Sequence, residues 1–152
     1  MEEAIHDLIK DTKQMARLRQ SLTLPNDICT IPQLSEFIEG ICEELNLDMS
    51  TTMNLNLALE EAVVNVMEYA YPTDVQGEVT INAIANDTCL VFIIIDSGIP
   101  FDPTKKEKVD TTLSAEERPI GGLGIHLVRE LMDSVDYEYI DCKNILTLSK
   151  NI

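Results

Sequence analysis

Six apolar residues in succession, Leu90-Val91-Phe92-Ile93-Ile94-Ile95, run straight into Asp96-Ser97-Gly98 and constrain the fold more than any other segment. Six residues make a strand, well short of the roughly 20 that a membrane-spanning helix needs. A strand without polar alternation is buried on both faces. An aspartate closing such a strand costs free energy unless it has hydrogen-bond partners. Asp96 is therefore either the cap of a turn or a carboxylate that accepts from a ligand amine. Gly98, two residues on, lets the backbone approach a flat ring closely.

The rest of the chain supplies a sheet for that strand. Residues 78–85 and 88–96 read as a strand pair joined by Asn86-Asp87, a good hairpin turn. Residues 135–140 and 145–149 alternate as two further strands, and residues 20–24 form another before the turn Pro25-Asn26-Asp27. Helical periodicity marks residues 2–19, with Ile5, Leu8, Ile9, Met15 and Leu18 on one side, and residues 31–45. A long helix starts from a cap at Asp48 or Ser50 and stops at Pro72. A short helix covers 125–132. This order argues for an α+β fold: a two-layer sandwich of a mixed, largely antiparallel sheet with helices on one face. At 152 residues one domain is expected, with residues 1–19 as a helical extension and 20–152 as the domain.

The long helix carries a second signal. With about 100° between successive residues, Asn65 and Glu68 fall within about 40° of Glu61, and Asn54 lies between them. The rest of the circumference is mostly Leu, Ala, Val and Met. One thin polar stripe, flanked by Leu57 and Val64, is either a narrow solvent face or the wall of a cleft. A carboxamide oxygen suits a hard cation such as Mg²⁺, and a carboxylate one turn away can orient a water or hydroxyl.

A third signal is Gly121-Gly122-Leu123-Gly124, which opens the helix at 125. Free N–H groups at a glycine-rich helix start suit phosphate. They also suit the charge pattern. Net charge is −16, and no Lys or Arg occurs between Arg19 and Lys105, a stretch holding 14 acids. Such a middle repels nucleic acid and anionic lipid, so an anion bound there relies on backbone donors or a metal. Cys29, Cys42, Cys89 and Cys142 lie far apart without a CxxC pair, and the acidic N-terminus lacks an apolar signal core. Free thiols in a cytoplasmic protein are expected rather than a zinc site.

In this order the three signals resemble the N, G1 and G2 boxes of the GHKL (Bergerat-fold, histidine-kinase-like) ATPase superfamily: Glu61-Ala62-Val63-Val64-Asn65, Asp96-Ser97-Gly98 and Gly122-Leu123-Gly124. The polar segment 104–119 falls where that superfamily has its ATP lid. The strings LEEAVVNVMEYAYP, DSGIPFDP, EERPIGGLGIHLVRELMD and NILTLSK look most like its anti-sigma factor and serine/threonine kinase branch, over residues 21–150.

The resemblance implies ATP and Mg²⁺ as cofactors, with Asn65 on the metal and Glu61 as general base. It implies Asp96 on the adenine amine, Gly98 under the ring, and Gly122, Leu123 and Gly124 around the phosphates. Arg118, Lys105 and Lys106 would reach phosphate oxygens. It further implies a cytoplasmic kinase that phosphorylates a serine or threonine of a small antagonist protein, with a sigma factor as another partner. A homodimer also follows from the branch, helped by the apolar side of the N-terminal helix. The rivals are an ATP-gated protein-binding module with little transfer and a stand-alone histidine-kinase-like catalytic domain. The sequence departs from the pattern at Pro100, where many members have a second glycine. It departs again at Asn144, where several relatives have a threonine on the adenine side. Residues 31–45 hold no arginine, which some anti-sigma members use to grip the sigma factor.

Overall fold

A computed structural model describes residues 2–72, 75–105 and 124–152. The helices are α1 (Glu2–Gln14), α2 (Ile31–Glu44), α3 (Met49–Tyr69) and α4 (Gly124–Leu131); the strands are β1 (Leu18–Pro25), β2 (Glu78–Ala85), β3 (Cys89–Asp96), β4 (Ser134–Ile140) and β5 (Lys143–Asn151). The strands form one sheet in the order β1-β2-β3-β5-β4, antiparallel at every pairing. The apolar strand β3 is central, as its composition requires.

Local chemistry explains the elements. Asp48 caps α3, its Oδ1 accepting from Thr51 N at 2.7 Å. Pro72, which cannot donate a backbone hydrogen bond, follows the end of α3. Just past α2, Asn46 turns the chain with a φ of 58°, in the left-handed region. The β2–β3 turn is held by Asn86, whose Oδ1 accepts from Thr88 N at 2.9 Å and Cys89 N at 2.8 Å. Asp141 and Cys142 turn β4 into β5 with φ of 53° and 63°, a two-residue hairpin that twists with its strands.

Helices α2, α3 and α4 cover one face of the sheet. Leu34, Ile38 and Ile41 of α2, Leu55, Leu59 and Val63 of α3, and Ile125 and Val128 of α4 are buried with Phe92, Ile94, Ile81 and Leu148. Helix α1 lies on the other face, packed on β2 and β3. There Ile5 and Thr12 are buried, as are Ile84, Cys89 and Val91, which point away from the main core. Thr12 Oγ1 donates to Leu8 O at 2.7 Å, and His6 Nε2 lies 2.7 Å from Glu138 Oε1 of β4. The two-layer arrangement thus describes the domain around α2–α4, and α1 adds a layer behind it.

Two sequence expectations change here. Helix α1 stops at Gln14 rather than continuing to residue 19, and β1 begins at Leu18 rather than at residue 20. Sheet pairing is the reason: Arg17 N donates to Ala85 O at 2.8 Å and Leu18 registers with Ala85, which draws the chain out of the helix. Leu18 therefore enters the main core, and Met15 is 75% exposed. The apolar side of α1 is turned onto its own sheet, so it does not argue for a dimer.

Candidate functional site

Asp96 ends β3 and is 3% exposed. Its Oδ1 accepts from Gly98 N at 2.9 Å and from Asn144 Nδ2 at 2.8 Å. Oδ2 has no partner among the described residues. Burial pushes the Asp96 carboxyl above the usual carboxylate range, and the hydrogen bonds from Asn144 and Gly98 work against that rise. Asp96 does not merely cap a turn, because a second strand, β5, supplies a buried side chain to hold it.

Asn144 sits opposite Asp96 in the β3–β5 register and is itself 3% exposed. Its Nδ2 also donates to Ile99 O at 2.8 Å, while its Oδ1 accepts from Phe101 N at 3.0 Å and from the Tyr137 hydroxyl. The departure from the family pattern at this position is thus a built feature that fixes residues 96–101.

The end of α3 meets the same turn. Ile99 N donates to Ala70 O at 2.8 Å. The Tyr71 hydroxyl donates to Glu78 O at 2.8 Å and accepts from Ser97 N at 3.0 Å. A Cβ on Gly98 would lie 2.2 Å from Ala70 O, so the glycine is required by backbone against backbone, whatever lies above it. Tyr69 and Phe101 stack with ring centroids 5.3 Å apart.

These contacts fix α3 relative to Asp96, and α3 carries the polar stripe. Asn65 is 5% exposed, and no described residue hydrogen-bonds its amide. Glu61, one turn earlier, is half-buried and has no ion-pair partner among the described residues. Asn65 is too buried for the stripe to be a plain solvent face, although its amide is not among the fully enclosed unpartnered groups. The apolar remainder of α3 is not all interior either. Met49, Met53 and Leu57 are exposed at i, i+4 and i+8 and lead up the helix to Glu61.

Gly124 is the first residue of α4, which packs on α3. Arg129 of α4 donates from Nη2 to Thr104 O at 3.2 Å, at the entrance to the segment assigned to the lid. Lys105 closes a short 3-10 turn, Pro103–Lys105. Lys106, Arg118, Gly122 and Leu123, with the lid from residue 106 on, lie outside the described residues.

Sequence reasoning singled out Glu61, Asn65, Asp96 and Gly98, and the structure places them on α3 and at the end of β3, which meet where Ile99 N donates to Ala70 O. It gave Tyr71 and Tyr137 no role in the site and left Asn144 as a departure without a contact. Their signal is register, since each works through a strand or helix far away in sequence.

Residues 24–150 match the family described as the histidine kinase-like ATPase domain. The serine-protein kinase RsbW of Listeria monocytogenes serovar 1/2a is 28% identical over 136 residues, covering 82% of this chain and 83% of that protein. The protein of the same name from Bacillus mycoides is 28% identical over 127 residues, 76% of this chain and 79% of its own. A crystal structure of the RsbU and RsbW domains of a Mycobacterium tuberculosis protein superposes with a TM-score of 0.63 at 19% identity, covering 88% of this chain and 32% of that longer one. That likeness is one of fold.

Proposed function

Because the chain belongs to the histidine kinase-like ATPase domain family, we propose that it binds Mg²⁺–ATP and acts as an anti-sigma-type serine/threonine kinase. It phosphorylates a small antagonist protein. The observation that carries this reading is the buried Asp96 carboxylate, held through one oxygen and unpartnered at the other among the described residues. Burial makes ionisation there costlier than in water, so a ligand amine that hydrogen-bonds Oδ2 is favoured.

The residues present fit the cofactors. Asn65, largely buried and with no described partner for its amide, offers an oxygen for Mg²⁺. Asp96 takes the adenine amine, and Gly122, Leu123 and Gly124, leading into α4, supply backbone donors for the phosphates. Arg118, Lys105 and Lys106 add cationic groups for phosphate oxygens. When bound, Mg²⁺–ATP supplies the phosphoryl group and the cation that screens its charge. Glu61 takes the proton of the acceptor hydroxyl, and the fixed α3–β3 junction holds Glu61, Asn65 and Asp96 in one frame. The exposed Met49, Met53 and Leu57 line suits a protein acceptor, since it offers apolar surface that ends at Glu61. A sigma factor is a second partner by the same family argument.

Labelled ATP and a candidate antagonist protein test this. Glu61→Gln should bind ATP like the wild type and transfer phosphate about 10²–10⁴-fold more slowly. Asn65→Ala should weaken both binding and transfer, because it removes a metal ligand. Calorimetry in which the wild type ignores Mg²⁺–ATP overturns the reading. ATP-dependent partner binding without transfer by the wild type leaves an ATP-gated binding module.

A further inference from the structure

We infer that Asn144 selects the base, by reducing Asp96 to a single hydrogen-bond acceptor for a 6-aminopurine and so excluding guanine. The inference rests on nucleotide binding at this site and adds the residue that sets its selectivity. Asn144 is a positioning residue, acting through Asp96.

The geometry is fully determined. A carboxamide has two donors and two acceptor sites, and Asn144 uses all four: Asp96 Oδ1 and Ile99 O accept from it, and Phe101 N and the Tyr137 hydroxyl donate to it. The amide therefore cannot turn over without losing every partner. It comes from β5, while three of its partners lie in the segment 96–101 and the fourth on β4, so it is locked from both sides.

The consequence falls on Asp96. Oδ1 already receives two N–H groups, from Asn144 and Gly98. Its lone pairs are used, and Oδ2 alone is left for a ligand. Guanine presents two adjacent donors, the ring N1–H and the 2-amine, which match a carboxylate with both oxygens open. Adenine presents one amine beside a ring nitrogen that accepts, which matches one oxygen. Guanine at Asp96 would have to converge its two parallel N–H groups on one oxygen in a forked, poorly aligned contact, and sites built for one hydrogen-bond pattern reject another strongly.

Groups around Asp96 do not substitute for the amide. The Tyr71 phenol at the end of α3 and the Tyr137 phenol on β4 face it, with Asp102 and Glu78 farther out. None of these is a cation. Without Asn144, Asp96 loses a donor that favours its ionised form, so its carboxyl rises further.

The test is calorimetry of Mg²⁺–ATP and Mg²⁺–GTP across pH, on the full chain. In Asn144→Leu the preference for ATP over GTP should narrow by about tenfold, and the acid limb of ATP binding should move to higher pH. Asn144→Asp keeps the shape and the acceptors for Phe101 and Tyr137, and it guards against a Leu variant that fails to fold. There the two carboxyls share a proton, so ATP affinity should gain a pH step that the wild type lacks. Unchanged selectivity and pH profile in folded variants overturn the inference while nucleotide binding stands. A wild type that binds neither nucleotide overturns the functional reading, and this inference with it.

Discussion

Asp96 is held in a state that favours its neutral form, and the sign of that effect is testable. A carboxyl whose folded value lies above its unfolded one binds its proton more tightly in the native protein. Its ionisation therefore lowers stability as pH rises through that interval, and the loss is complete above the raised value. Asp96→Asn should melt at the same temperature as the wild type or higher at pH 7, and this advantage should shrink as pH falls below the raised carboxyl value. The new amide oxygen can still accept from Gly98 and Asn144. Affinity for Mg²⁺–ATP should drop about tenfold or more, because a charge-assisted hydrogen bond is lost. Melting curves across pH with calorimetry check both halves, and a variant that binds as the wild type removes Asp96 from the site. At this scale the sequence was informative where chemistry and burial coincide in one run, as at Asp96. It was silent where a residue's meaning depends on what stands opposite, as at Asn144.

The junction of α3 with the end of β3 is an element-scale device. Ile99 N donates to Ala70 O across it, Tyr71 bridges Glu78 and Ser97, and Gly98 leaves no room for a side chain. Gly98→Ala should therefore force the two backbones apart, with a cost of about 1–3 kcal/mol of the kind seen in overpacked interiors. Nucleotide affinity should fall with stability here, whereas Asp96→Asn separates the two. Chemical denaturation followed by nucleotide titration shows which pattern holds, and unchanged stability would mean that the contact relaxes freely. Sequence periodicity located nearly every helix and strand, because amphipathic spacing and turn residues are local. It misplaced the α1–β1 boundary, since Leu18 fits a helix side as well as a strand, and pairing with Ala85 decides between them.

Among the described residues the molecule has a helix layer on each side of its sheet, the rear one made by α1. An amphipathic helix announces that it buries a face, not which surface receives it, so the sequence did not place α1 behind β2 and β3. Cysteine chemistry reports on this layer. Cys29 and Cys142 are exposed, and Cys42 and Cys89 are buried. Burial also pushes the Cys89 thiol up, which slows its reaction. A thiol reagent should modify Cys29 and Cys142 in the full chain, and Cys89 as well once residues 1–16 are removed. Unaltered protection of Cys89 in the shortened, folded chain would mean that α1 is not what shields it. The order of synthesis gives the sheet a further consequence. β5 inserts between β3 and β4, both of which are translated before it. A nascent chain complete only through β4 leaves one edge of its most apolar strand bare, open to pairing with another chain. It also holds Asp96 without Asn144. The side chains that hold Asp96 are therefore complete only when residues 143–151 emerge from the ribosome, and a polypeptide stalled just short of them has a bare strand edge and an unbraced Asp96 at once.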